Sequence, residues 1–236
     1  MVAFMREGIA AATSAPTEGR AARRRMQTRI KLLEAGHAVM SEVGVEAAAI
    51  NEITERADVG FGTFYNYFDS KDALASDVLD CVIHNLGQRN DLAMTEIGET
   101  EPVRIVANSV RLVVREIVSE PVWAWWVDQP KLLVDRLRQG HRSFGHRDFR
   151  MAIASGDFVL VGDDLEFAWG QLNWLLAGGV RDIYQGLHPV ECERQIVEAI
   201  LRLLGVAHDK ASDAVARELP SYPALPVDFS FRLDDG

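Results

Sequence analysis

Hydrophobic positions along this chain recur at helical spacing from the first third almost to the end. Between Arg23 and Val43 the residues Leu32, Leu33, Ala35, Gly36, Val39, Met40 and Val43 fall three and four apart until Gly44 interrupts them, which predicts one amphipathic helix ending there. Ile50, Ile53 and Ala57 form a shorter stripe, Asp58-Val59-Gly60 reads as a turn, and helical spacing resumes from Thr63 to Phe68, so two short helices around a tight turn are expected. Asp69-Ser70-Lys71-Asp72 has the form of a helix start with Ser70 or Asp69 as N-cap, and a long apolar stripe follows through Leu74, Val78, Leu79, Val82, Ile83 and Leu86.

Beyond Asn90 the pattern stays helical. Pro102 suits the first turn of a helix to about Ser119, and Pro121 opens the next, which carries Trp123, Trp125 and Trp126. A helix broken near Gly140 and Gly145 reaches Ser155-Gly156. Phe158-Val159-Leu160-Val161 has a strand-like composition, but a single short strand has nothing to pair with, so it reads as an extended linker. Asp163 or Asp164 then caps a helix to about Gln185, and Pro189 begins another that stops at Gly205. Residues 1–20, rich in Ala, Gly, Ser and Thr without an apolar period, are expected to be disordered, and the last thirty, with Pro220, Pro223 and Pro226, to form a loosely attached extended tail. The predicted architecture is therefore all-α: a disordered basic arm over 1–22, a three-helix helix-turn-helix domain over 23–70, a larger helical domain over 71–206 and the tail over 207–236.

Composition narrows the function. The 236 residues are 48% hydrophobic, enough for one large core or a small domain joined to a larger one. No run nears the roughly 20 apolar residues of a membrane helix, and the N-terminus lacks the order of a secretory signal, so no membrane partner and a cytoplasmic location are expected. Cys81 and Cys192 stand apart with no CxxC spacing and read as packed or idle thiols. His141 and His146, five apart, fall on different helix faces, so neither a metal site nor any other cofactor is expected. A glycine-rich phosphate loop, a GxSxG elbow and an HExxH pair are all missing, which argues against an enzyme.

The net charge of −10 weighs against nucleic acid until its distribution is considered. Residues 1–31 carry Arg6, Arg20, Arg23, Arg24, Arg25, Arg29 and Lys31 against only Glu7 and Glu18. A basic arm on an acidic body suits a chain that meets DNA at one end, although a solvated tail has the same composition.

The stretch Ile53-Thr54-Glu55-Arg56-Ala57-Asp58-Val59-Gly60-Phe61-Gly62-Thr63-Phe64-Tyr65-Asn66-Tyr67-Phe68-Asp69-Ser70-Lys71-Asp72-Ala73-Leu74 closely resembles the helix-turn-helix of the TetR family of transcriptional regulators. The likeness extends back through Leu32-Leu33, Ala35-Gly36, Val39-Met40 and Gly44, and covers about residues 23–80. Val59, Phe64 and Phe68 should lock the short helix inward, while Gly60, Phe61, Gly62, Thr63, Tyr65 and Asn66 face out at the end that enters the major groove. Thr63, Tyr67 and Lys71 can bond phosphates, with Arg23, Arg24 and Arg25 adding backbone contacts. The resemblance points to Phe61, Gly62 and Tyr65 as base-facing, with Asn51 beside them. The chain departs from the family pattern in three ways: Ala48 and Ala49 stand where a Thr or Ser cap is usual, Asp58 replaces a turn glycine, and Phe61 a polar or basic residue.

The resemblance implies a repressor of double-stranded operator DNA that works as a homodimer and is released by a small effector, partly apolar or aromatic. Trp123, Trp126, Trp169 and Trp174 are candidate pocket walls, Asn173 a polar fixer, and Arg111 with Arg115 a cationic end, although the tryptophans read equally as core and the arginines as a solvated face. For the dimer, Leu172, Leu176 and Gly179 on the penultimate predicted helix and Ile196, Ile200 and Leu204 on the last are candidates. A DNA-binding regulator without an effector, or one controlled by a protein partner, is the other reading.

Overall fold

Eleven α-helices, and no strand, follow one another through residues 15–229, which are those that this computed structural model describes. The outer parts of the expected arm (1–14) and tail (230–236) lie outside the described residues. The first helix, α1 (Ala15–Ala47), begins before Arg23, so residues 15–22 are helical rather than disordered. Ala and Arg are strong helix formers, and an exposed run such as 19–25 can still extend a helix already nucleated by its apolar half. The helix breaks at Gly44 (φ 79, ψ 163), a backbone conformation that a Cβ would oppose.

That break turns the chain into α2 (Ile50–Arg56), and Asp58 (φ 56) supplies the left-handed turn before α3 (Phe61–Phe64). At α4 (Lys71–Glu96) the Ser70 hydroxyl oxygen accepts the Ala73 N–H at 3.1 Å. The early turns of α4 pack on α1 and the later ones enter the body, so a single rod joins the helix-turn-helix to the helices that follow. The body comprises α5 (Pro102–Ser119), a short 3-10 turn over Pro121–Trp123, α6 (Ala124–Val127), α7 (Pro130–Gly140), α8 (Arg142–Ala154), α9 (Leu165–Tyr184), α10 (Glu193–Leu203) and α11 (His208–Ala216). The segment 158–161 is extended up to its last residue, and Val159 N–H donates to Leu204 C=O at 3.0 Å.

One apolar core runs from Leu32 and Phe64 in the helix-turn-helix to Leu172 and Ile200 in the body. Trp123 and Trp126 sit fully buried in it, edge to face at 5.7 Å, on the segment that packs under α1. The region after Gly205 differs from the expected loose tail. Ala211, Ala214 and Val215 bury one side of α11, and residues 217–229 lie along α4, where the Asn85 and Arg89 side chains donate to the carbonyls of Pro226 and Pro223. Proline removes N–H donors but leaves good carbonyl acceptors, so a proline-rich segment can still be tied down from outside.

Candidate functional site

The helix-turn-helix offers one exposed polar and aromatic face. Ile53, Thr54, Phe64 and Phe68 are buried, while Asn51, Gly60, Gly62 and Asn66 are exposed and Phe61 and Tyr65 are each 50% exposed. The Phe61 and Tyr65 rings stand edge to face at 5.7 Å, each steadying the other. Thr63 and Tyr67 are half-buried at the margin of this face. Arg23, Arg24 and Arg25 are exposed on the first turns of α1, and the Arg25 guanidinium reaches the Asn66 carbonyl at 3.5 Å and the Tyr67 ring at 5.7 Å. The basic segment is thereby held beside α3.

Lys71 has a further task that spacing does not reveal: its Nζ donates to the carbonyls of Glu46 (2.6 Å) and Ala48 (3.1 Å), clamping the corner where α2 has no side-chain cap at Ala49. Two of its three donors are thus spent inside the fold. Arg56 is held by Glu42 through two hydrogen bonds of 2.7 and 3.0 Å. Cationic attraction at this face therefore falls to the start of α1.

Within the body a cavity of about 60 Å³ lies between α4, α5, α8 and α9, room for a few waters or one small ring. Its walls are Met94, Ile105, Val106, Val110, Phe144, Phe149, Trp169, Leu172 and Leu176, with Asn90, Asp91, Ser109, His141, Arg147, Asp148 and Asn173 as the polar groups. Arg147 makes 2.7 and 2.8 Å ion pairs with Asp91 and Asp148. Burial pushes the Asp148 carboxyl above the usual carboxylate range, against the pull of Arg147. His141 Nε2 donates to the Ile83 carbonyl at 2.8 Å, which leaves Nδ1 an acceptor, and burial pushes the ring down to about 4, so it is neutral at physiological pH. Asn173 Nδ2 donates to the Trp169 carbonyl at 2.8 Å and Trp169 Nε1 to the Arg138 carbonyl at 3.0 Å, which fixes both. Trp169 can approach α8 because residue 145 is glycine: a Cβ there would overlap its ring.

Of the expected ligand residues, the structure brings only Trp169 and Asn173 to the cavity. Trp123 and Trp126 belong to the core under α1, and Trp174, 47% exposed, points outward. Arg111 and Arg115 share a face as their spacing implies, but that face holds Glu193, a fully buried carboxylate 3.2 and 2.9 Å from the two guanidinium groups. The polar end went unnoticed although a signal existed: Asp148 interrupts the apolar stripe Phe144, Gly145, Phe149, Ala152 of α8, as Asn90 interrupts that of α4. Of the expected dimer residues, Leu172, Leu176, Ile200 and Leu204 are buried within the chain, and Gly179 and Ile196 are half-buried. Leu172 and Leu176 face the cavity, Ile200 and Leu204 are fully buried within the chain's own core, and Gly179 meets Ile196 of α10. The apolar stripe through Leu172 and Leu176 and that through Ile200 and Leu204 close this chain's own core.

Residues 32–78 match the model of the bacterial regulatory proteins of the tetR family. The repressor DhaR of Mycobacterium sp. (strain GP1) is 37% identical over 84 residues, 36% of this chain and 42% of that protein, and the regulator YvdT of Bacillus subtilis (strain 168) is 41% identical over 59 residues, 25% and 30%. The chain thus spans less than half the length of these two curated relatives. Among solved structures, RolR in complex with its ligand resorcinol is 28% identical with a TM-score of 0.73, covering 86% of this chain and all of that one. Ligand-free RolR is 26% identical with a TM-score of 0.74, covering 82% and 99%. Residues 32–78 are thus similar to the helix-turn-helix region of the tetR-family regulatory proteins, and the chain as a whole has an all-helical fold similar to that of RolR.

Proposed function

We propose that this protein is a transcriptional repressor that grips operator DNA as a homodimer and lets go when a small hydroxylated aromatic molecule enters the cavity. The observation that carries this reading is that one helix serves both sites: the first turn of α4 closes the helix-turn-helix, and Asn90, Asp91 and Met94 on the same helix line the cavity, roughly 30 Å further along a stiff rod. A shift of α4 at the cavity moves the DNA-binding face. The names of DhaR as a repressor and RolR as a resorcinol-binding protein lend support.

The cavity chemistry fits a single phenolic ring. Phe144, Phe149 and Trp169 present edges and faces to a ring, while Arg147, Asp91 and Asp148 offer a donor and acceptors for hydroxyl groups. At the DNA, Phe61, Gly62, Tyr65 and Asn51 would face bases and the α1 arginines phosphates. The second copy would sit on the outer face of α9, where Phe167 and Trp174 are half exposed and Gly178 is open, together with Leu203 of α10. No described helix is long and apolar enough to cross a membrane, in keeping with action in the cytoplasm.

The test selects binding sites from randomised duplex DNA and follows release by fluorescence anisotropy with resorcinol, phenol and catechol. Asp148→Asn and Arg147→Ala are expected to keep DNA affinity and to raise the resorcinol concentration needed for release by about tenfold or more, the value of a charge-assisted hydrogen bond. A protein that binds a defined site yet ignores every single-ring phenol would instead be a regulator without such an effector.

A further inference from the structure

The segment after α11 lies against both functional regions. Its first residue, Arg217, receives the Arg111 guanidinium on its carbonyl at 2.8 Å. Leu219 and Tyr222 then pack on Met94, Ile105 and their neighbours, at the back of the cavity wall. Prolines at 220, 223 and 226 recur with the three-residue turn of a polyproline helix, a shape that loses little entropy on docking. Phe229, at the far end, is buried against the His37 ring of α1, centroids 6.0 Å apart.

The Tyr222 hydroxyl makes the informative contact. It donates to Asn90 Oδ1 at 2.5 Å, and Asn90 Nδ2 donates across to the Ser109 carbonyl of α5 at 3.3 Å. An amide has one oxygen and one NH₂ group, so this arrangement settles which way it points: oxygen to the strap, NH₂ toward Ser109 of α5, which lines the cavity as Asn90 does. Arg89 clasps the phenol from the other side, its guanidinium 4.0 Å from the Tyr222 ring centroid, while also donating to the Pro223 carbonyl and pairing with Glu116 at 2.9 Å. Burial holds the phenol well above its ordinary pKa, so it remains a donor.

We infer that residues 217–229 are a working part of the effector site: Tyr222 is a positioning residue that makes Asn90 a donor to the occupant, and Phe229 ties the other end of the same strap to the DNA-binding domain. The inference rests on the proposed reading of the cavity. A ligand that turns Asn90 loosens Tyr222, and the strap passes that change to α1 alongside the α4 rod.

Two variants and two readouts test it. Tyr222→Phe keeps the ring and removes one hydroxyl, so folding and operator affinity should stay within about twofold of wild type while resorcinol binding weakens about tenfold through the loss of Asn90 orientation. Phe229→Ala should bind resorcinol like wild type, yet need at least about fivefold more for the same DNA release. A merely structural strap would lower melting temperature and operator affinity together and leave this split unseen. Wild-type affinity for resorcinol in Tyr222→Phe would overturn the inference. If wild type itself binds none of the phenols, the cavity reading fails, and amide hydrogen exchange of the ligand-free protein decides for the strap alone. Faster exchange over 86–94 in Tyr222→Phe and over 33–43 in Phe229→Ala then sustains only the tie of the strap to α4 and α1, and unchanged exchange overturns that tie as well.

Discussion

Glu193 has no solvent contact, and its carboxylate binds guanidinium groups from two turns of α5 at the start of α10. Removing it leaves Arg111 buried and uncompensated, so Glu193→Ala is expected to cost about 3–5 kcal/mol in chemical denaturation, and a Glu193→Ala, Arg111→Met double variant to recover most of that. An unchanged midpoint for the single variant would show that the pair contributes nothing. The sequence displayed the arginines' common face but not their partner, 82 residues away, because spacing along one helix says nothing about what packs against it. His141 gives a pH prediction. Its folded pKa is about 4 against 6.5 for the free side chain, so between those values the unfolded chain holds a proton that the folded chain does not. Stability is therefore complete above pH 6.5 and falls as pH drops, by roughly 3 kcal/mol at pH 4 from this group. Burial moves His37, His84 and His146 the same way. Denaturation midpoints from pH 7 to 4 should show a shallower decline in His141→Gln.

At the scale of elements, α3 and the start of α4 divide two kinds of work. Tyr65 is exposed and touches the neighbouring Phe61 and Phe64 rings, whereas Lys71 clamps the α1–α2 corner. Tyr65→Ala should therefore leave stability within about 0.5 kcal/mol, as for other surface changes, and alter which DNA sequences are preferred. Lys71→Ala should lower stability by about 1–2 kcal/mol, because two carbonyls lose a charged donor, and weaken binding to all sequences alike. Selection from a randomised library together with thermal melts separates the two, and a Lys71→Ala protein as stable as wild type would remove the clamp. Helices with a strong apolar stripe and a cap were legible: Gly44, Ser70, Pro102 and Asp164 mark boundaries in both sequence and structure. The helix α11 and the strap were not, since their stability comes from partners. The helix α11 buries three small residues and is tied by Lys210 to Glu101 and Asp157 and by Ser212 to Glu198, and the strap is held by side chains of α4 that sit more than 130 positions away.

At the scale of the molecule, the all-α architecture was legible because each period of apolar residues matched a helix, and the exposed face of the helix-turn-helix followed from a local motif. The cavity and the proposed pairing surface were not, because both depend on how stripes are rotated when helices meet. In α9, Leu172 and Leu176 turn inward to the cavity, and Phe167, Trp174 and Gly178 share the opposite face. Two exposed aromatics in line with an open glycine on one helix are costly to leave in water and allow a second helix to come close. A single helix-turn-helix reads few base pairs, so operator binding gains from a second copy held at roughly 34–36 Å, with the avidity of two linked sites worth about a hundredfold or more. Phe167→Glu with Trp174→Glu should therefore give a folded monomer, seen by light scattering and an unchanged helical spectrum, with operator affinity reduced by about that factor. Ile200→Glu acts differently: it places a charge in the chain's own core, and should unfold the protein rather than separate two copies. A doubly substituted α9 face that remains dimeric and binds operator fully would place the interface on another surface, and with it the route by which a ligand changes the spacing of the two DNA-binding faces.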